Sequence, residues 1–470
     1  MRPERWLLAA YACSGIAGLV YEIAWTRLLI LHLGHTTAAV STVTAAFMGG
    51  LGVGGVLGGR IASKLSRRMA LRLYALLELA VALSALVIAS GLTLLGPVFA
   101  WAYGEDGTGS VFSIVRIACS FAVLLVPAVA LGATFPMAVR VVVASPARPG
   151  RPAGRLYGAN TAGAAVGSLA AGFVLIPTLG LTGTTFIGMA ASVVSIALAL
   201  SIARNDLPDV VSEAIPPTPR PKKRESRDNR SRHAAGRGVA AVESGDAERH
   251  RPASAPGATA GKYGLAATVL ALTGFATFGY EVVWTRVLAM VVGPSIYAFA
   301  ATLTSFITGL ALGSVAGASL AARVSRPAVA LALTLTATAA AACVSVGLVG
   351  GSMLEIGPGV SGPAGSLAGV VLAHLAMACG LTLPIAIGLG VAFPLSLELA
   401  GSRDAVPARR LGVLYAVNTA ASVAGALVAG FVTIPVIGLR ASLLVSTASL
   451  LLGAAVLIVR GRFSGRSRLV

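Results

Sequence analysis

The sequence predicts an all-α, polytopic membrane protein of about 12 transmembrane helices, arranged as two parallel six-helix repeats. Three observations lead there: a lipid-compatible composition, recurring apolar runs of bilayer-spanning length, and a second half that repeats the motifs of the first. Of the 470 residues, 56% are hydrophobic and 11% are charged. Soluble domains carry about 25% charged residues. A helix rises about 1.5 Å per residue, so roughly 20 apolar residues cross about 30 Å of hydrocarbon.

Runs of that length place six spans in the first half, at residues 6–31, 37–61, 70–100, 113–140, 156–178 and 181–203. The second half places six more at 264–290, 296–322, 327–350, 366–397, 411–435 and 438–460. Several are long enough to tilt or to project beyond the bilayer. The first run contains Glu22 and Arg27 and has a copy deep in the chain, so it reads as a retained helix and not as a cleaved signal peptide.

The repeat is explicit. Tyr21-Glu22-Ile23-Ala24-Trp25-Thr26-Arg27 returns 259 residues later as Tyr280-Glu281-Val282-Val283-Trp284-Thr285-Arg286, and Gly50, Gly54 and Gly58 return as Gly309, Gly313 and Gly317. Phe135-Pro136 returns 258 residues later as Phe393-Pro394, and Tyr157, Asn160, Gly172, Phe173, Pro177 and Gly180 return as Tyr415, Asn418, Gly430, Phe431, Pro435 and Gly438. Six spans per copy make both copies enter the membrane in the same direction, a transporter-like plan with an axis along the membrane normal. Residues 1–203 form one repeat and 263–470 the other. Residues 204–262 are polar and basic with no sustained apolar period, so burial cannot offset the entropy of ordering them, and they read as a disordered cytoplasmic linker. Its basic cluster from Arg220 to Arg232 either touches anionic head groups or is a solvated topogenic segment.

A formal charge of +19 raises the question of nucleic acid, but the basic residues follow membrane topology instead. With a cytoplasmic N-terminus, 32 of the 36 Lys and Arg fall on the inside; without the linker the division is still 20 against 4. Both termini are therefore expected in the cytoplasm of a cell with the chain in its inner membrane, with the bilayer as partner and no nucleic acid. Cys13, Cys119, Cys343 and Cys379 all fall inside spans without metal-ligand spacing and read as packing residues.

The ordered run Tyr21-Glu22-x-x-Trp25-Thr26-Arg27, Leu131-Gly132-Ala133-Thr134-Phe135-Pro136, Leu156-Tyr157-Gly158-Ala159-Asn160-Thr161-Ala162-Gly163 and Ala171-Gly172-Phe173-Val174-Leu175-Ile176-Pro177 resembles the membrane part of fused major-facilitator/spermidine-synthase-like proteins. The resemblance covers nearly all of both halves. In that family a soluble aminopropyltransferase domain with a Gly-rich loop and paired catalytic aspartates follows the membrane part; no such segment occurs here, so the expectation is a chain that is not itself an enzyme. Gly59-Arg60-Ile61-Ala62-Ser63-Lys64-Leu65-Ser66-Arg67-Arg68 is similar to the loop between helices two and three of major-facilitator transporters, with Ser63 in place of the usual acidic residue.

Ionisable groups inside a span cost about 2.5–3.5 kcal/mol on insertion scales and need compensation. Glu22 and Glu281 are the first candidates for binding substrate or a proton. Arg27 and Arg286 follow them by five positions, roughly 140° around a helix, which is poor for pairing within the helix. Arg116 in the fourth span is a candidate partner, and the residue 258 positions on is His374. In the major-facilitator arrangement that the resemblance implies, spans one, four, seven and ten line the cavity and hold all of these residues. Two readings stand: cavity-lining groups, or a structural Glu22–Arg116 pair with Arg27 and Arg286 snorkelling at helix ends. Trp25 and Trp284 either anchor at the interface, stack on substrate, or pack on Tyr21 and Tyr280. Phe135, Pro136 and Asn160, with Phe393, Pro394 and Asn418, lie toward the inner side as gates or as glue between helices, and the repeated glycines read as close-packing faces.

These features support a transporter-like protein moving a small polar or charged solute, with polyamines suggested by the resemblance, or a membrane scaffold for a separately encoded synthase-like partner. No residue pattern indicates a metal, a cofactor, a catalytic triad or a phosphate loop.

Overall fold

The computed structural model describes residues 3–33, 37–104, 110–142, 150–205, 256–293, 296–360, 367–401 and 408–466, and every regular element among them is helical. The first half holds α1 (Pro3–Leu33), α2 (Thr37–Ala62), α3 (Arg67–Leu94), the short α4 (Gly96–Tyr103), α5 (Ser110–Val142), α6 (Gly150–Ala170) and α7 (Ile176–Asn205). The second holds α8 (Pro256–Val292), α9 (Ile296–Ala321), α10 (Pro327–Val360), α11 (Leu367–Ala400), α12 (Ala408–Val428) and α13 (Ile434–Arg466). One π-helical turn joins α6 to α7 at Ala171–Leu175, and another joins α12 to α13 at Ala429–Thr433.

Among the described residues, ten helical stretches are long and apolar enough to cross a bilayer; two of them, Arg155–Arg204 and Gly412–Arg460, run to 50 and 49 residues. Each of these two is broken at a single glycine, Gly180 with φ 67° and Gly438 with φ 78°, where a side chain would be strained. Hydrocarbon takes only about 20 residues to cross. Each long stretch is therefore two crossings hinged at a glycine, and the total is twelve in a multi-pass membrane fold.

Several boundaries differ from the sequence reading, α10 running on to Val360 past the expected 350 among them. The span expected at 70–100 ends at Leu94, and Pro97 sits in the first turn of a separate helix, α4, because proline cannot donate to the preceding turn but starts a new one well. The linker expected at 204–262 is narrower: α7 runs to Asn205 and α8 starts at Pro256, again with proline at a helix start. Residues 206–255, the bulk of that linker, lie outside the described residues.

Each half is built the same way. Its first helix packs between its fifth and sixth, α1 on α6 and α7, α8 on α12 and α13, while its second packs along its fourth, α2 on α5 and α9 on α11. The glycine faces make that second contact: a Cβ on Gly54 would meet the Val129 carbonyl, and one on Gly313 the Ile387 carbonyl. The halves join where α2 lies on α12 and α6 on α9. Large apolar side chains such as Leu83, Val126, Leu333 and Val436 stay exposed on the outer surface of the bundle, where lipid covers them.

Candidate functional site

Glu22 and Glu281 sit at equivalent points of α1 and α8, are 7% and 8% exposed, and lie close enough for their charges to interact across the junction of the halves. Tyr21 and Trp25, four residues apart on one face of α1, stack at 5.1 Å and 9°, and the Tyr21 hydroxyl donates to Ser192 Oγ of α7 at 3.4 Å. Tyr280 is tied in the same way to Thr447 Oγ1 of α13 at 2.7 Å. The aromatic face fixes each helix against the last helix of its own half. The glutamate one position on lies about 100° around the helix from that face.

Trp25 and Trp284 are 1% and 0% exposed and their Nε1 atoms are buried without a hydrogen-bond partner, so the indoles pack within each half and do not reach the interface. Arg27 and Arg286 are partly buried. No described Arg, Lys or His acts electrostatically on either glutamate. The side chain of Arg116, and with it the expected Glu22–Arg116 pair, lies outside the described residues. His374 on α11 is 9% exposed, with Nδ1 buried and unpartnered.

Val20 and Ile23, which flank Glu22 on α1, join Ala171 of the π-turn and Leu303 of α9 in an apolar cluster that crosses between the halves. Phe173 in that π-turn stacks on Tyr297 of α9 at 5.9 Å. Toward the N-terminal face, Phe135 stacks on Tyr11 at 6.0 Å and meets Tyr157 edge-on at 6.4 Å. Asn160 Nδ2 donates to the Tyr11 carbonyl at 3.1 Å, which makes it a tie between α6 and α1. Tyr157 and its repeat mate Tyr415 lie near each other across the halves and remain 43% and 37% exposed. Pro136 and Pro394 lie within α5 and α11, Phe393 is partly buried, and Asn418 approaches α8 at Gly274 without a side-chain hydrogen bond among the described residues.

Glu78 of α3 escaped the sequence reading. It is fully buried among hydroxyls of α1, α3 and α7, with Ser192 Oγ donating to Oε2 at 3.2 Å. The signal was an acidic residue inside the apolar run 73–88, but α10 has no acidic residue between Pro327 and Val349, so matching charges between repeats passes over it. The π-turns were missed too, although the Ala-Gly-Phe-Val sequence they share is repeated at 171–174 and 429–432.

No family model matches the chain. Polyamine aminopropyltransferase 2 of Streptomyces coelicolor (strain ATCC BAA-471 / A3(2) / M145) is 33% identical over 204 residues, covering 43% of this chain and 34% of that protein, so the chain spans about a third of the length of this curated relative. Among solved structures, a bacterial homologue of the iron transporter ferroportin matches in its outward-facing state with TM-score 0.56, 14% identity and coverage of 97% of this chain and 99% of the other. The same homologue in its inward-facing state gives TM-score 0.57 at 14% identity, covering 97% and 98%. A bacterial metal transporter gives 0.54 at 13% identity, again covering 97% and 98%. These likenesses show that the chain shares the fold of those proteins over 97% of its length.

Proposed function

We propose that this protein moves an organic cation, of the diamine or polyamine class, across the cell membrane by rocking one half against the other around Glu22 and Glu281. The observation that carries this reading is the pair of equivalent buried carboxyls, one from each half, near enough for the charge of Glu281 to act on Glu22 and with no described basic residue acting on either. Two like charges in a poorly hydrated site are mutually destabilising, and a ligand with two ammonium groups neutralises both at once. A metal ion is less well served, since no group of three or more His, Cys, Asp or Glu gathers among the described residues. The curated relative's printed name supports the polyamine class. The Phe173–Tyr297 stack near the far ends of the halves, with half-exposed Tyr157 and Tyr415 toward the N-terminal face, suits a conformation open toward that face, which in this reading is the cytoplasmic one.

Purified protein in liposomes, offered radiolabelled putrescine and spermidine alongside an amino acid and an organic anion, tests the reading. Saturable uptake of the amines alone is expected; uptake of the anion with none of the amines would overturn it. The match to an aminopropyltransferase favours a second reading, a membrane scaffold for a synthase-like partner. Co-purification of such an enzyme with this chain, together with absent amine uptake, would select the scaffold.

A further inference from the structure

The core of the first half is not continuous. One apolar cluster gathers Tyr21, Trp25, Phe47, Val81 and Leu124, and a second gathers Leu7, Tyr11, Leu71, Tyr74 and Met137. Between them on α3 lies Glu78, 0% exposed, in a layer of hydroxyls from three helices: Ser14 of α1, Tyr74 of α3, and Ser192 and Ser195 of α7. Ser192 donates to Oε2 at 3.2 Å, Tyr74 and Ser195 share a hydrogen bond of 2.7 Å, and Tyr21 donates to Ser192 at 3.4 Å. Ser14 and Tyr74 also stand within hydrogen-bonding reach of the carboxyl. Oε1, in contrast, is buried without any partner.

A buried carboxylate with one bare oxygen and no counter-charge is among the costliest arrangements in an apolar interior. The titratable groups that face Glu78 are Tyr74 from its own helix and Tyr11, Cys13 and Tyr21 from α1, none of which carries positive charge. From α7 come only serines, and from α4 and α5 no described charged group acts on it. Something of charge +1 must complete the site. A hard divalent ion would bring an excess positive charge and takes roughly six or more oxygens. Only one carboxylate is present here, and the serine and tyrosine hydroxyls are engaged with one another or with Oε2.

We propose that Glu78 is a proton-binding site, separate from the Glu22–Glu281 pair, whose proton forms an O–H bond at Oε1 while Oε2 keeps the Ser192 hydrogen bond. A proton needs no cavity, removes the charge, and leaves the oxygen that has donors free to accept them. Its occupancy is tied to α1. Ser192 is held by both Glu78 and Tyr21, and Tyr21 immediately precedes Glu22. Releasing the proton puts a net charge in the layer that seats α1 on α7, so the position of the helix carrying Glu22 depends on the protonation of Glu78.

Infrared pH titration of the full chain in lipid, following the carbonyl stretch of protonated carboxyl groups, is the test. The wild type should show such a band at neutral pH, and Glu78→Gln should remove a component that Glu22→Gln and Glu281→Gln both retain. The Ser192 hydrogen bond is stronger to the charged carboxylate than to the neutral acid, so Ser192→Ala weakens the charged form more and should move the midpoint of that component to higher pH. If Glu78→Gln does not fold, the Ser192→Ala titration decides alone, and an unmoved midpoint overturns the proposal. A spectrum that Glu78→Gln leaves unchanged at every pH overturns it as well. So does loss of the band at constant pH on adding sodium or calcium, which would make the site a metal site.

Discussion

The two halves share motifs and helix packing, yet their interiors differ. The second half buries one continuous apolar cluster running from Leu331 and Leu335 on α10 through Val283 and Trp284 to Leu450 and Leu457 on α13. The first half is cut in two by the Glu78 layer, and α10 carries no acidic residue between Pro327 and Val349 to do the same in the second. The contacts between halves diverge as well. On one side Ser168 Oγ and Thr304 Oγ1 hydrogen-bond at 2.8 Å, while on the other the equivalent positions are Ala426 and Ala45, packed in the apolar core. What both halves keep is the close backbone approach at the glycines and the tyrosine bond that ties the first helix to the last, Tyr21 to Ser192 and Tyr280 to Thr447. The interior polarity is free to differ, because a buried hydrogen-bonded group and an apolar group can both fill a helix interface if each is satisfied.

This comparison can be broken most forcefully at the shared glycines. Gly54→Val and Gly313→Val each drive a side chain into a backbone carbonyl of the facing helix, at equivalent places in α2–α5 and α9–α11. Both should cost about 1–3 kcal/mol or more, read as lost thermal stability in detergent, and to a similar degree. Tolerance of one and not the other would mean that the two halves do not depend on the same close approach.

A smaller and unequal effect is expected at the paired asparagines. Asn160→Ala deletes the bond to the Tyr11 carbonyl and should cost about 0.6–2 kcal/mol, whereas Asn418→Ala deletes no described side-chain hydrogen bond and should cost less. Equal losses in thermal denaturation would show that the aromatic and polar tie at the N-terminal face is symmetric after all.

The smallest effect belongs to the contact between halves. Ser168→Ala makes that junction resemble its Ala426–Ala45 counterpart and should cost about 0.6 kcal/mol, near the average for a hydrogen bond between membrane helices. A loss of several kcal/mol would identify this bond as a main link between the halves.

Much of this architecture is legible in the sequence because membrane folds announce themselves through length and periodicity. The twelve crossings, the glycine faces and the reversal near Gly180 and Gly438 all follow from apolar runs and repeated residues. The Glu22 and Glu281 pair was legible as two candidates but not as neighbours, since nothing in either helix alone says which way it faces. Its expected partner, Arg116, has a side chain outside the described residues, and the described charged group that acts on Glu22 is Glu281. Trp25 and Trp284 were open between interface and core, and the i to i+4 contact with Tyr21 resolves the first of them. Glu78 is hidden because it has no counterpart in the second copy, whose α10 carries no acidic residue between Pro327 and Val349.

The central claim is that one ligand is held between the halves by both carboxylates. Titrating wild type, Glu22→Gln, Glu281→Gln and the double variant with putrescine, by calorimetry in lipid nanodiscs, measures it directly. Losing one partner of a buried charge pair costs about 2–5 kcal/mol, so each single variant should bind roughly 30-fold or more weakly. Because both carboxylates grip one dication, the double variant should lose less than the sum of the two single losses. Putrescine affinity unchanged in both single variants would contradict the account.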